Sequence, residues 1–300
     1  MLKLTWKRND TLPVTRKSLF ESQTLQIGLF EARAVSDQCG DVERQDRNAV
    51  VLPLAGVFAK HDAPGRQVIG TPSHAVFVAA NTPYRISFPG GIGDRALILR
   101  FGDELAPEHV DRSGDVALAS NGLLPAPAMM LRNMLGARLG QDDIDDFEIE
   151  TIGLDLLNVS FAAMRKDKPA SRPSALARRM RAMERVKEAV AVAPSHKWNV
   201  ARLAKLANLS PFHLCHVFRQ LADTSIYDYV LQERLAQALD AVLGGDDELT
   251  AIALDAGFAS HSHFTARFRG FFGCTPAGLR RTATAARLAE LRKIVTARAH

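Results

Sequence analysis

A chain of 300 residues with 47% apolar and 24% charged side chains has an ordinary globular composition and is long enough for two domains, each with its own core. No stretch reaches the ~18 uninterrupted apolar residues a membrane span needs. The N-terminus, MLKLTWKRNDTLPVTRK, has no apolar block and no small-residue cleavage site, so neither export nor a membrane contact is expected and the chain reads as cytosolic.

The net charge of +5 conceals a division. Residues 1–164 carry 16 Lys and Arg against 21 Asp and Glu; residues 165–300 carry 22 against 12. A basic half suits a polyanionic partner, because each phosphate it neutralises releases condensed counterions. The three cysteines, Cys39, Cys215 and Cys274, are far apart and form no CxxC or Cys/His ligand spacing, which fits reduced thiols better than disulfides or structural zinc.

Along residues 11–105 the segments TLQIGLFEAR (24–33), AVVLPLAGVF (49–58), AVFVAA (75–80), YRISF (84–88) and ALILRF (96–101) predict short strands. HDAPGR, NTP and FPGGIGD read as the turns between them, with PGGIGD (89–94) as a hairpin turn. Short strands with polar turns predict a small barrel or sandwich. Phe58, Phe77, Tyr84 and Phe88 read as strand core in preference to the lining of a ligand pocket, and Arg85, Arg95 and Arg100 as surface charge or as contacts for an acidic effector. In 127–165 the period changes: Met130, Met134, Leu135 and Leu139, then Ile149, Ile152, Leu156 and Leu157, mark amphipathic helices whose apolar faces need either the barrel wall or a second subunit. RKDKPASRPS (165–174) reads as a linker. From 175 onward the pattern is helical, and the Ala- and Arg-rich residues 282–300 read as a basic tail, expected to be frayed and solvated.

The basic half contains a repeat. VARLAKLANLSPFHLCHVFRQ (200–220) aligns with LTAIALDAGFASHSHFTARFRG (249–270): Ala204 meets Ala253, Asn208 meets Gly257, and beyond the turn Leu214 meets Phe264 and Phe218 meets Phe268. Asn and Gly are the residues that tolerate positive φ at a tight turn, and Ser210 and Ser260 suit helix N-caps. Each copy is a helix-turn-helix. On a wheel of ~100° per residue, Leu214, Val217, Phe218 and Leu221 are the buried side of the first unit's second helix, and Phe264, Phe268, Phe271 and Phe272 that of the second. Phe212, Cys215 and His216, and in the second unit His261, Ser262, His263 and Ala266, face outward as candidates for reading base edges; Arg219, Arg267 and Arg269 are placed for phosphates. SIYDYVLQERLAQALDAVL (225–243) predicts one connecting helix ~28 Å long, compatible with two readers one duplex turn of ~34 Å apart.

Residues 183–281 resemble the DNA-binding domain of the AraC/XylS transcription regulators. The most specific part is IALDAGFASHSHFTARFRGFFGCTPAGLR, with its GF, SHF, phenylalanine spacing and G-x-T-P-x-x-x-R ending. The resemblance implies a cytoplasmic bacterial regulator with an α+β multidomain fold. Residues 1–164 would form a β-rich, cupin-like sensor or dimerisation domain with a helical annex, and 175–281 an all-α double helix-turn-helix domain. Double-stranded DNA is the implied partner; a small-molecule effector, a second copy of the chain and RNA polymerase are left open. The sequence departs from the family where Arg often follows the SHF by two residues, since Ala266 stands there, and in the first unit, where His216 occupies a position often held by Arg. Ala can touch only a thymine methyl, so base readout is expected to spread over His261, Ser262, His263 and His216.

Other chemistries fit less well. His261 and His263, two residues apart on a helix, point ~200° from each other and hold one ion poorly. Cys215 and His216 point ~100° apart with no orienting third group. No metal, cofactor or catalytic set is expected, and the chain is not read as an enzyme. A constitutive regulator whose barrel only dimerises, and an enzyme fused to a DNA-binding domain, are the alternative readings.

Overall fold

The computed structural model describes residues 14–33, 36–63, 66–106, 120–139, 145–164, 173–244 and 247–299. Most of the expected linker, 165–172, lies outside them. The N-terminal half contains nine strands among the described residues: β1 (Val14–Glu21), β2 (Leu25–Ala32), β3 (Asn48–Gly56), β4 (Phe58–Ala63), β5 (Arg66–Gly70), β6 (His74–Val78), β7 (Arg85–Ser87), β8 (Asp94–Phe101) and β9 (Asn121–Leu123). They form a six-stranded sheet of order β1-β2-β8-β3-β6-β9 and a three-stranded sheet of order β5-β4-β7.

Alternation along the strands sorts the side chains into two layers. Phe30, Ala32, Val51 and Val76 of the larger sheet meet Phe58, Val68 and Ile86 of the smaller one, with Phe88 just beyond it, and fill the space between the two sheets. Leu25, Ile27, Leu52, Leu97, Leu99 and Phe101 point to the opposite face, where α1 (Ala126–Arg138) and α2 (Asp146–Met164) cover them. The aromatics Phe58, Phe77 and Phe88 are buried, as expected of strand core, and Tyr84 is half-buried with its hydroxyl 3.4 Å from Glu43.

Three expectations are corrected. HDAPGR is mostly strand: β4 runs to Ala63 and β5 starts at Arg66. PGGIGD is no hairpin, because β7 pairs with β4 while β8 pairs with β2 and β3. A short 3-10 turn at Pro89–Gly91 carries the chain from one sheet to the other, using positive φ at Gly90, Gly91 and Gly93. The C-terminal residues are not a solvated end. They form α10 (Ala285–Ala299), which packs on α1 and α2 with Leu288, Leu291 and Val295 buried. Those three recur at intervals of three and four, a stripe that the abundance of Ala and Arg obscures. Arg292 Nε binds Asp155 of α2 at 2.7 Å, and Arg138 of α1 donates to the Ala283 carbonyl at 2.9 Å. The annex helices therefore find their apolar partners, the large sheet and α10, within one chain.

The remaining helices are α3 (Pro173–Val192), α4 (Val200–Ala207), α5 (Pro211–Ala222), α6 (Ile226–Gly244), α7 (Leu249–Asp255), α8 (His261–Phe272) and α9 (Pro276–Arg281). Met183 and Val186 of α3, Leu203 of α4, Leu214 and Phe218 of α5, and Tyr229 of α6 make the core of the first unit. The core of the second unit, built on Phe264, Phe268 and Phe272, is continuous with the annex core, and α1 touches α6 and α8 directly.

Candidate nucleic-acid interface

Local chemistry builds the two units alike. Asn199 caps α4 by accepting from Arg202 N at 2.9 Å, and α4 ends at Asn208 in the left-handed region with φ 54°. Ser210 then caps α5 by accepting from His213 N at 3.2 Å, with Pro211 in the first turn where a missing N–H costs nothing. In the second unit Gly257 has φ 81°, and a Cβ there would lie 2.5 Å from Ser195 Cα, so glycine is required both by the turn and by the close approach of the chain. Ser260 caps α8 by accepting from His263 N at 3.2 Å. Gly273, with φ 77°, ends α8, and Thr275 caps α9 by accepting from Gly278 N at 3.0 Å, which is the structural content of the G-x-T-P ending.

The wheel assignments hold for the central positions. Leu214, Val217, Phe218, Phe264, Phe268 and Phe272 are buried, whereas Leu221 and Phe271 are half-buried at the unit edges. The ring centroids of Phe264 and Phe268 are 5.4 Å apart and those of Phe268 and Phe272 4.6 Å, a packed aromatic column. On the other side, Phe212, Cys215, His216 and Arg219 of α5 are all exposed, as are His261, Ser262, His263, Ala266, Arg267 and Arg269 of α8. Phe212 is 84% exposed, a large apolar surface that a lone soluble helix would not favour. Arg267 is not a free-standing flank: its Nε donates to His263 Nε2 at 3.4 Å, and the His263 ring meets Phe258 edge-on at 5.6 Å. His261 Nε2 lies 3.5 Å from the Thr265 hydroxyl. Each second helix thus presents one strip of hydrogen-bonding, aromatic and cationic groups on a rigid apolar support. Among the described residues no three His, Cys, Asp or Glu side chains group as metal ligands, and no helix is long and apolar enough to cross a membrane.

A second set of residues was missed by sequence reasoning: the polar seam between the β-rich half and the helices. Glu233 of α6 is fully buried and accepts from the Thr71 hydroxyl at 2.8 Å and from the Ser73 hydroxyl. Burial raises its carboxyl above the ordinary range, and the hydroxyl donors and Lys187 oppose that. Two turns further along the same face of α6, Asp240 pairs with Arg95 of β8, so Arg95 is engaged by α6 and does not stand as open surface charge. Arg132 of α1 is fully buried and donates to the Pro72 carbonyl at 2.8 Å; burial lowers its guanidinium to about 9 against the raising effect of Asp240 and Glu233. From α3, Glu184 accepts the backbone N–H of Ile69 at 2.7 Å and Glu188 accepts from Gln67 at 2.9 Å. The available signal was the seven-residue spacing of Glu233 and Asp240 on an otherwise apolar helix face, which puts both carboxylates on one side two turns apart.

The helix-turn-helix domain family matches residues 203–282. The HTH-type transcriptional regulator GlxA of Rhizobium meliloti is 29% identical over 183 residues, 59% of this chain and 53% of that protein. The probable transcription factor PqrA of Proteus vulgaris is 32% identical over 82 residues, 27% of this chain and 67% of that protein. The chain spans about half the length of GlxA, and 30% of an uncharacterized HTH-type regulator of Haemophilus influenzae that it also matches. ToxT of Vibrio cholerae superposes over 88% of this chain and 100% of its own with a TM-score of 0.36 at 12% identity, an overlap too loose to support anything by itself. The motif, the capped turns and the sequence relatives agree: the chain belongs to the AraC/XylS family of DNA-binding transcription regulators.

Proposed function

We propose that α5 and α8 enter two successive major grooves on one face of a duplex, and that the β-rich half controls how they are presented. Phe212, Cys215, His216, His261, Ser262, His263 and Ala266 would meet base edges, while Arg219, Arg267 and Arg269 would hold phosphates. The observation that carries this reading is the shared asymmetry of the two helices, aromatic and aliphatic on the buried side, with every proposed contact residue exposed. The 19 residues of α6, at 1.5 Å each, separate the units by ~28 Å, within reach of one duplex turn. Residues 1–164 act as sensor and 175–281 as reader, with double-stranded DNA as partner and no catalytic step. Control by a small effector is favoured over pairing through the 127–165 helices, because the apolar faces of those helices are already covered by the sheet and α10. Control then means a shift between arrangements of the two halves across the Glu233 and Asp240 seam.

Selection of bound duplexes from a random DNA pool with the full chain tests the DNA reading. Two recurrent blocks about 10 base pairs apart are expected. A single block, or no enrichment over the starting pool, refutes two-groove reading.

A further inference from the structure

The outward strips of α5 and α8 differ chemically. Aligned at the offset that pairs Leu214 with Phe264, Phe212 corresponds to Ser262, Cys215 to Thr265 and His216 to Ala266, while Arg219 corresponds to Arg269. Ser210 caps α5 and Pro211 opens its first turn, so Phe212 stands in the N-terminal turn, the part of a recognition helix that meets base edges. Its ring is 84% exposed and makes no ring contact among the described residues. Cys215, one turn on, and His216 are exposed on the same side, whereas Leu214, Val217 and Phe218 point into the core. An exposed ring seated on a capped helix gains by leaving water, and docking fixes only two side-chain torsions.

The chemistry of the strip narrows what it can select. None of the base-facing positions of either helix is Arg, Lys, Asn or Gln, so the bidentate pairings that pick out guanine or adenine are missing. An apolar side chain has one apolar partner on the edges of the major groove, the C5 methyl of thymine. Phe212 is the largest apolar group offered there, and its counterpart Ser262 offers instead a hydroxyl that pairs with more than one base. We propose that α5 selects its half of the site by packing Phe212, with Cys215 one turn on, against thymine methyls, while α8 selects by hydrogen bonds from Ser262 and the histidines beside it. The two blocks of the target are then unlike: the α5 block carries a recurrent thymine recognised through its methyl, and the α8 block does not. This inference rests on the two-groove reading above and adds to it which base the first helix selects, and by which atom.

The test uses the full chain and a duplex selected from the random pool, with each thymine replaced in turn by deoxyuridine, which lacks only the methyl. At one or two positions of a single block the unmodified chain should lose ~4-fold in affinity per methyl, the worth of one buried methylene. The Phe212 ring is exposed, so Phe212→Ala removes no core packing and leaves the fold in place. In that variant the same replacements should change affinity by less than ~2-fold, the margin within which uncoupled changes add. Pairing guanine with 5-methylcytosine at those positions should bind the unmodified chain ~4-fold tighter than cytosine does, and should bind the variant equally. Selected sites without a recurrent thymine, deoxyuridine replacements that cost nothing in either block, or the same cost in Phe212→Ala overturn the proposal and leave two-groove reading standing. Failure of the unmodified chain to bind any duplex, or a site with a single block, sinks the two-groove reading and the methyl contact together.

Discussion

Arg269→Ala isolates the phosphate role most cleanly. Arg269 lies in the last turn of α8, is exposed, and its guanidinium makes no ion pair or hydrogen bond among the described residues. Its removal should therefore change folding stability by less than ~0.5 kcal/mol, so a binding defect is not an unfolding defect. One phosphate contact contributes ~0.9 to the slope of log K against log salt. At 0.15 M salt that is worth roughly fivefold in affinity, and between 0.05 and 0.2 M the unmodified chain should lose ~3.5-fold more affinity than the variant. Fluorescence anisotropy across a salt series, with a selected duplex and a scrambled one, measures both quantities. The loss should be about equal on the two duplexes and the slope should fall by ~1. An unchanged slope, or a change in the preferred base at one position, would refute the assignment of Arg269 to the backbone.

Phe268→Ala removes the middle ring of the column between Phe264 and Phe272 and should cost ~3–5 kcal/mol in denaturant unfolding; a loss under 1 kcal/mol would mean that the column is not a packed core. Ser260→Ala should cost about 1 kcal/mol by freeing the His263 N–H, and Ser260→Asp should restore most of it, which thermal melts can follow. Leu291→Ala in α10 should cost ~2–5 kcal/mol if the C-terminal helix is a structural layer, whereas a solvated tail would show no change. Asp94 is buried with one carboxyl oxygen unpartnered, and burial raises its pKa from 3.8 to about 8. The folded chain then holds a proton through that interval that the unfolded chain releases, so this residue's contribution to stability is present below pH 3.8 and is lost as pH rises towards 8. Asp94→Asn should flatten that part of the stability–pH curve; an unchanged curve from urea midpoints at pH 5 and pH 8.5 would show that Asp94 is not the buried acid.

The DNA-binding half was legible because its determinants are local. Asn208 and Gly257 demand a left-handed turn, Ser210 and Ser260 fix the next helix start, and phenylalanines at intervals of four and four allow one buried side. These are contacts within a turn or two of the chain, and sequence spacing encodes them directly. What faces what across long separations was not legible. PGGIGD carries the residues of a hairpin turn but passes between sheets, because strand partners are chosen by burial of whole faces and not by the turn. The stripe Leu288, Leu291 and Val295 acquires meaning only once α1 and α2 are beside it, and Glu233 is a surface-type residue until Thr71 and Ser73 arrive from more than 150 positions away to hydrogen-bond it. Sequence alone determined two capped helix-turn-helix units and a β-rich partner. Tertiary structure decided that the core of the second unit merges with that of the β-rich half through α1 and α10 while the first unit keeps a core of its own, since desolvation and close packing depend on neighbours that no local spacing names.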